Sequence, residues 1–245
     1  MNAVRKMLPV YALTILLALF CAVFTSQGVT ALSAPVGAFT DGGVPTVVLD
    51  PGHGGEDGGA LSPNGVRESN LNLAISLRTR DLLRFLGIEV VMTRESDVSI
   101  HSPEAWTVSE KKLSDLKNRV RIVSEIPDAV LVSVHQNMFA QSKYYGTQVF
   151  YAQTPGSQAL AEALQARFAA ELDPTNHRQA KPSENVYLLS KIRCPGVLVE
   201  CGFLSNPREE ALLQTEAYQK KLAAVLSAAL AEQLTIDRGQ GTSDS

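Results

Sequence analysis

The sequence predicts a single α/β domain with a mainly parallel, twisted sheet, helices on both faces, and an apolar helix ahead of it at the N-terminus. Three observations predict it. Short, continuous apolar runs recur at Thr46–Leu49, Ile88–Thr93, Ala129–Val134 and Val197–Cys201, as in strands buried on both faces. Segments of helical spacing separate them. Three of the runs stop at polar, glycine- or histidine-bearing stretches, and in such folds the carboxyl ends of strands meet in one crevice.

The N-terminal region, residues 1–24, reads as a signal or anchor segment. Arg5 and Lys6 precede Met7–Phe24, eighteen residues without a charge. No charge follows until Asp41, so the positive-inside bias puts the N-terminus in the cytoplasm and the rest of the chain outside the membrane. Val29-Thr30-Ala31 is a mediocre cleavage site, and the reading taken is an uncleaved membrane anchor. Residues 25–44 are small and polar and read as a flexible linker. Residues 45–236 then form one domain of ordinary size.

Within that domain, Thr46-Val47-Val48-Leu49 ends at a Pro-Gly turn and reads as a buried strand. Ser69–Leu86 carries apolar residues at helical spacing, with Ser69 as N-cap and Gly87 as the C-terminal stop. Ile88–Thr93 completes a βαβ unit, and Asp97–Glu110 is a long polar loop. Lys111–Glu125 resumes helical spacing through Leu113, Leu116, Val120 and Val123. Strands follow at Ala129–Val134 and Thr147–Tyr151, a helix at 156–172, a short strand-like run at Val186–Leu189, and a last strand at Val197–Cys201. Pro207 opens a helix running to about Leu234, and Asp237–Ser245 reads as a disordered tail.

A net charge of −3 and the lack of a basic stripe with interleaved aromatics argue against nucleic-acid binding. The predicted strand between Cys194 and Cys201 rises about 3.3 Å per residue, which puts the two thiols beyond disulfide reach. Both are read as free and buried.

Of four histidines, His53 and His135 follow strand ends, whereas His101 and His177 lie in polar loops. Catalytic zinc commonly keeps three protein ligands from histidine and carboxylate, with a position left for water. His53, His135 and Glu68 fit that count, because the glycine-rich loop starting at His53 ends at Glu68 and can fold back. Periodicity alone leaves a structural role for the histidines equally open. Glu200 ends an apolar strand, where a charge is costly without a partner or a function. A general base beside a metal site and a buried salt bridge both satisfy that cost. The glycine loop lacks the Lys-Ser/Thr ending of a phosphate loop, and Glu56 and Asp57 would repel phosphate. Its glycines suit a tight turn and a close approach of backbone to substrate. Cys201 inside an apolar strand reads as inert packing.

At Val48-Leu49-Asp50-Pro51-Gly52-His53-Gly54-Gly55, Glu68, Ser133-Val134-His135-Gln136-Asn137 and Leu198-Val199-Glu200-Cys201-Gly202-Phe203, the chain resembles the zinc-dependent N-acetylmuramoyl-L-alanine amidases of the type 3 family. The resemblance implies one Zn2+ held by His53, Glu68 and His135, with Glu200 as the catalytic carboxylate. It implies hydrolysis of the amide between the lactyl group of muramic acid and L-alanine, with peptidoglycan as the partner. Asn137 and Arg178 are the candidate substrate contacts; Arg178, Lys181 and Arg193 are the basic residues able to meet anionic wall peptides, and solvated surface is the plainer reading of each. Gln136 replaces the small residue common at its position and Cys201 the usual small or apolar one, and neither removes a ligand. Only about ten residues follow Asn137 before the next strand, so an inhibitory helical insertion has no room there. The compact domain, the apolar N-terminus, the 97–110 loop and Arg178-Gln179-Ala180-Lys181 are similar to the spore-cortex subgroup, which acts before muramic-lactam formation. A zinc peptidase and a non-catalytic wall-binding scaffold are the rival readings. An activating or recruiting protein partner is compatible with the reading but has no motif of its own.

Overall fold

The structure is a computed structural model; it describes residues 45–241, with side chains to Thr235. The apolar N-terminal segment, the linker and residues 242–245 lie outside the described residues. Among the described residues, no helix is long and apolar enough to cross a membrane.

Six strands form one sheet: β1 (Thr46–Pro51), β2 (Val90–Met92), β3 (Ala129–Asn137), β4 (Gln148–Tyr151), β5 (Lys181–Pro182) and β6 (Gly196–Phe203), in the order β2-β1-β3-β6-β4-β5. β2, β1, β3 and β6 are parallel neighbours, while β4 runs antiparallel to β6. The reversal is needed because a short loop from the carboxyl end of β3 can only send β4 back the other way. β5 was not expected. It is a two-residue edge strand, and its Pro182, which has no N–H to donate, is tolerated at an edge.

The helices are α1 (Glu68–Phe85), α2 (Val108–Ser124), α3 (Ser157–Glu171), α4 (Tyr187–Lys191), α5 (Pro207–Leu213) and α6 (Glu216–Gly241). On one face Val47, Leu49, Val132, Val134, Val197 and Val199 pack with α1, α3 and α6 through Ile75, Leu83, Leu164, Phe168, Leu226 and Leu230. On the other, Val48, Leu131 and Leu198 meet Val123 of α2 and Leu188 and Leu189 of α4. Both faces are therefore covered, as the continuous apolar runs predict. Ile75 and Leu83 are fully buried, and truncating either to alanine costs about 2–5 kcal/mol.

Several boundaries move. α1 starts at Glu68, and Ser69 is a buried residue of its first turn rather than its N-cap. No side chain caps this helix, because Glu68 N and Ser69 N donate to Ala60 O and Gly58 O of the returning glycine loop. α2 begins three residues earlier than expected, where Thr107 and Glu110 form a capping box. Its buried positions are Asp115, Arg119 and Val123, while Leu113 is exposed. Val186–Leu189 is not a strand: α4 turns there so that Leu188 and Leu189 both enter the core. The helix from Pro207 is two helices, broken at Gln214 and Thr215, with Thr215 Oγ1 accepting from Tyr218 N to start α6. α6 runs to Gly241, so its last turn covers the start of the segment expected as a tail. Cys194 is half-buried rather than buried, and both described cysteines are free.

Candidate active site

β1, β3 and β6 deliver their carboxyl ends side by side. His135 of β3 and Glu200 of β6 are direct partners across the parallel pair. A bulge follows His135, which brings Asn137 opposite Phe203. His53 lies just beyond β1 in the left-handed region, at φ 62°, a conformation that costs a non-glycine residue of the order of 1 kcal/mol. It is held there from two sides. Arg119 Nη2 donates to His53 O at 2.7 Å, and His53 Nδ1 pairs with Asp57 Oδ2 at 2.9 Å.

Glu68 closes the set. His53 Nε2 lies 3.4 Å from Glu68 Oε2, and His135 Nδ1 lies 2.8 Å from Glu68 Oε1. Ala60 N donates to Oε2, and Gln136 N and Asn72 Nδ2 donate to Oε1. Donor atoms of His53, Glu68 and His135 all fall within 4.8 Å of one another. Two donors sharing a tetrahedral zinc at bonds of about 2.0 Å stand about 3.3 Å apart, so the His53–Glu68 spacing fits that metal. The Asp57 carboxylate behind His53 is the usual outer partner that fixes which ring nitrogen faces an ion. The donor set therefore fits zinc.

Two glycines make the cluster possible. A Cβ on Gly52 would run into the His135 ring. Gly59 has φ +67°, and a Cβ there would lie 2.6 Å from Glu68 Oε2 and 2.7 Å from His53 Cδ2. The close approach that the loop permits is thus to the His53–Glu68–His135 cluster itself.

Electrostatics separate the two glutamates. Burial pushes Glu68 up, but His135, His53 and the Ala60 N–H outweigh it and hold its carboxyl at about 2. Burial lowers His135, and the Glu68 carboxylate overrides it, so the imidazole is raised above its usual range. Asp57 is held at about 2, chiefly by its bond to His53. Glu200 is pushed up to about 7 by burial, against the opposing pull of His135. Its Oε2 is buried without a hydrogen-bond partner among the described residues. The structure thus holds an ionised carboxylate among the histidines and, on the next strand, a carboxyl poised near neutrality. The salt bridge that would have explained Glu200 structurally is not formed among the described residues. A cavity of about 220 Å3, lined by His53, His135, Glu200, Lys112 and Leu188 among others, opens over them.

His53, Glu68, His135 and Glu200 therefore converge. Asn137 O accepts from Leu204 N, and its side chain has no hydrogen bond to His53, Glu68 or His135. Arg178 lies outside the cluster, with its guanidinium 4.6 Å over the Phe203 ring. His101 pairs with Ser99, away from the site.

Sequence reasoning gave no role to Asp50, Arg94 or Arg119. Asp50 is 1 % exposed and accepts from Arg119, Thr93 and Ser133. Arg94 and Arg119 donate to the carbonyls of Pro51, Gly52 and His53, tying down the turn that carries the histidine. Asp50, like Glu200, is a charge near the end of an apolar strand, and that position marks it in the sequence as well.

The chain was compared with known proteins. Residues 47–232 match the family model described as N-acetylmuramoyl-L-alanine amidase. The germination-specific N-acetylmuramoyl-L-alanine amidase of Bacillus subtilis is 36 % identical over 179 residues, 73 % of this chain and 75 % of that protein. AmiA of Escherichia coli is 29 % identical, over 76 % of this chain and 75 % of that protein. Among solved structures, the CwlD amidase of Clostridioides difficile, in complex with the GerS lipoprotein, aligns with a TM-score of 0.76 and 41 % identity, covering 79 % of this chain and all of that one. With three quarters of its length matched in sequence and its fold superimposed on that amidase, the chain belongs to the N-acetylmuramoyl-L-alanine amidase family and is a hydrolase of peptidoglycan.

Proposed function

We propose that the chain is a zinc-dependent amidase that cuts the bond between the lactyl carbonyl of N-acetylmuramic acid and L-alanine, with His53, Glu68 and His135 as ligands and Glu200 as general base and acid. One observation carries the reading: a three-donor cluster beside a carboxyl, Glu200, whose Oε2 is buried with no hydrogen-bond partner among the described residues. Zinc dependence is also a general property of the family. When bound, zinc supplies Lewis acidity toward a carbonyl oxygen and toward water.

The chain's own groups do the rest. Glu200 Oε2 accepts a proton from the attacking water as its oxygen bonds to the lactyl carbon. The same oxygen returns that proton to the alanine nitrogen as the C–N bond breaks, leaving a carboxylate and a free amine. Glu200 Oε2, which has no hydrogen-bond partner among the described residues, is free to take up the proton and to return it. Asp57 and Asn72 orient the ligands. Asn137, past the bulge, is a substrate contact at the edge of the site.

Likeness to the germination-specific and CwlD amidases supports a role in spore-cortex maturation, ahead of muramic-lactam formation. It also supports action outside the cytoplasmic membrane, where the apolar residues 7–24 would hold the domain. The lipoprotein bound to the Clostridioides difficile relative supports an activating or recruiting protein partner.

The test is mass spectrometry of muropeptides after digestion with zinc-loaded protein. New L-alanine amino groups on an intact glycan are expected. Cleavage between amino acids of the stem would make the enzyme a peptidase instead, and binding without any cleavage would make it a scaffold.

A further inference from the structure

A row of side chains leads away from the site along the strand ends. His135 pairs with Glu200 across β3 and β6, and Glu200 pairs with Gln148 across β6 and β4. Directly opposed residues of neighbouring strands put their side chains on the same face. Gln148 Oε1 in turn accepts from Arg178 Nη1 at 3.5 Å.

Arg178 is fixed without a carboxylate to answer its charge. Its Nε donates to Tyr145 O at 2.8 Å, and its guanidinium carbon lies 4.6 Å over the buried Phe203 ring. Among the described residues it forms no ion pair within 4.0 Å and has guanidinium N–H groups left over. The acidic group whose titration feels it is Glu209, and both Glu209 oxygens accept from Gly146 N and Phe203 N. Beside it a cavity of about 230 Å3 opens between Tyr144–Tyr145 and Thr175–His177. The other basic candidates are elsewhere. Lys181 is exposed and pairs with Phe150, farther along β4, and Arg193 lines a cavity at the amino ends of β3 and β6.

We infer that Arg178 is the carboxylate receptor of the substrate. It binds the α-carboxylate of the second stem residue, the γ-linked D-glutamate after L-alanine, and so selects stem peptides in which that carboxyl is free over those in which it is amidated. This rests on the amidase reading. With the scissile amide beside Glu200, the second residue extends about 7 Å along the peptide, and cross-strand neighbours stand about 5 Å apart, so Arg178 is within its reach. A guanidinium clamped in orientation meets a carboxylate with two parallel hydrogen bonds, which a carboxamide cannot match.

The experiment compares kcat/KM of zinc-loaded protein on two peptidoglycan preparations differing only in whether that carboxyl is free or amidated. The wild-type enzyme should favour the free form at least tenfold, chiefly through KM. Arg178→Gln should bring the ratio close to one, and Arg178→Lys, which keeps the charge and loses the fork, should fall between. A wild-type ratio near one overturns the proposal, as does an Arg178→Gln enzyme that loses equally on both substrates, since a merely structural arginine would act that way. If wild-type protein releases no L-alanine amine from either preparation, the amidase reading itself fails and takes this one with it.

Discussion

Arg119 Nη1 donates to Asp50 Oδ1 at 2.5 Å, and both side chains are about 2 % exposed. The pair joins α2 to the end of β1, and the same guanidinium reaches on to Pro51 O and His53 O. It is the joint between the sheet and the histidine.

Removing Arg119 therefore strands a buried carboxylate and frees the His53 turn together. Arg119→Met is expected to cost about 3–5 kcal/mol at pH 7, read as a lower urea midpoint. The loss should shrink below pH 4, where Asp50 can protonate. Zinc affinity should fall about 10- to 100-fold in whatever variant remains folded, by competition with a chelator.

Asp50 also sets part of the acid limit. Burial raises it, but Arg119, Ser133 and Thr93 outweigh this and hold it at about 2, below its ordinary 3.8. A carboxyl depressed in the folded state contributes stability above its unfolded value and loses it as the pH falls toward the folded one. About 2 kcal/mol should disappear between pH 4 and pH 2, and Asp50→Asn should lack that component of the pH dependence. Equal slopes for the two proteins would contradict the assignment.

Glu200 carries the opposite sign. Its folded value near 7 lies above the ordinary 4.5, so the folded state resists its ionisation, and stability drops as the pH rises between those values. In metal-free protein, Glu200→Gln should match wild type at pH 4 and be about 2–3 kcal/mol more stable at pH 8. The same variant should retain zinc and lose turnover by about 10²- to 10⁴-fold. Near-normal turnover would remove Glu200 from the mechanism.

Gly59 tests the His53–Glu68–His135 cluster without replacing any of its members. Gly59→Ala adds a methyl group against Glu68 and His53 at a positive φ. Zinc content should fall along with activity, while Gly87→Ala, also at positive φ but with open space around it, should cost stability alone. The two variants separate cluster geometry from backbone strain.

The sheet, its covered faces and the three strand ends were legible because burial on both faces leaves a continuous apolar run, a local signal. His53, His135 and Glu200 were legible for a related reason: polar groups at the ends of such runs stand out against their neighbours, whereas Glu68 stood out only as the carboxylate at the end of the glycine-rich loop. Boundaries were less legible. The α1 cap was misread because glycine-loop carbonyls, not a side chain, satisfy the first N–H groups. Val186–Leu189 was misread because four apolar residues carry no period of their own, and the core decides whether they turn.

By itself, the sequence determined the class of fold and which residues had to be explained, since hydrophobic pattern and misplaced charge are local properties. Only the tertiary structure decided how they are held and how they differ. Asp50, Arg94 and Arg119 come from three separate segments and meet at one turn. Glu68 and Glu200 are the same residue type, yet one is held at about 2 by the histidines around it and the other is raised to about 7 by burial, with no hydrogen-bond partner for its Oε2 among the described residues. Desolvation and nearby charge depend on what folds against each group, and no stretch of sequence contains that.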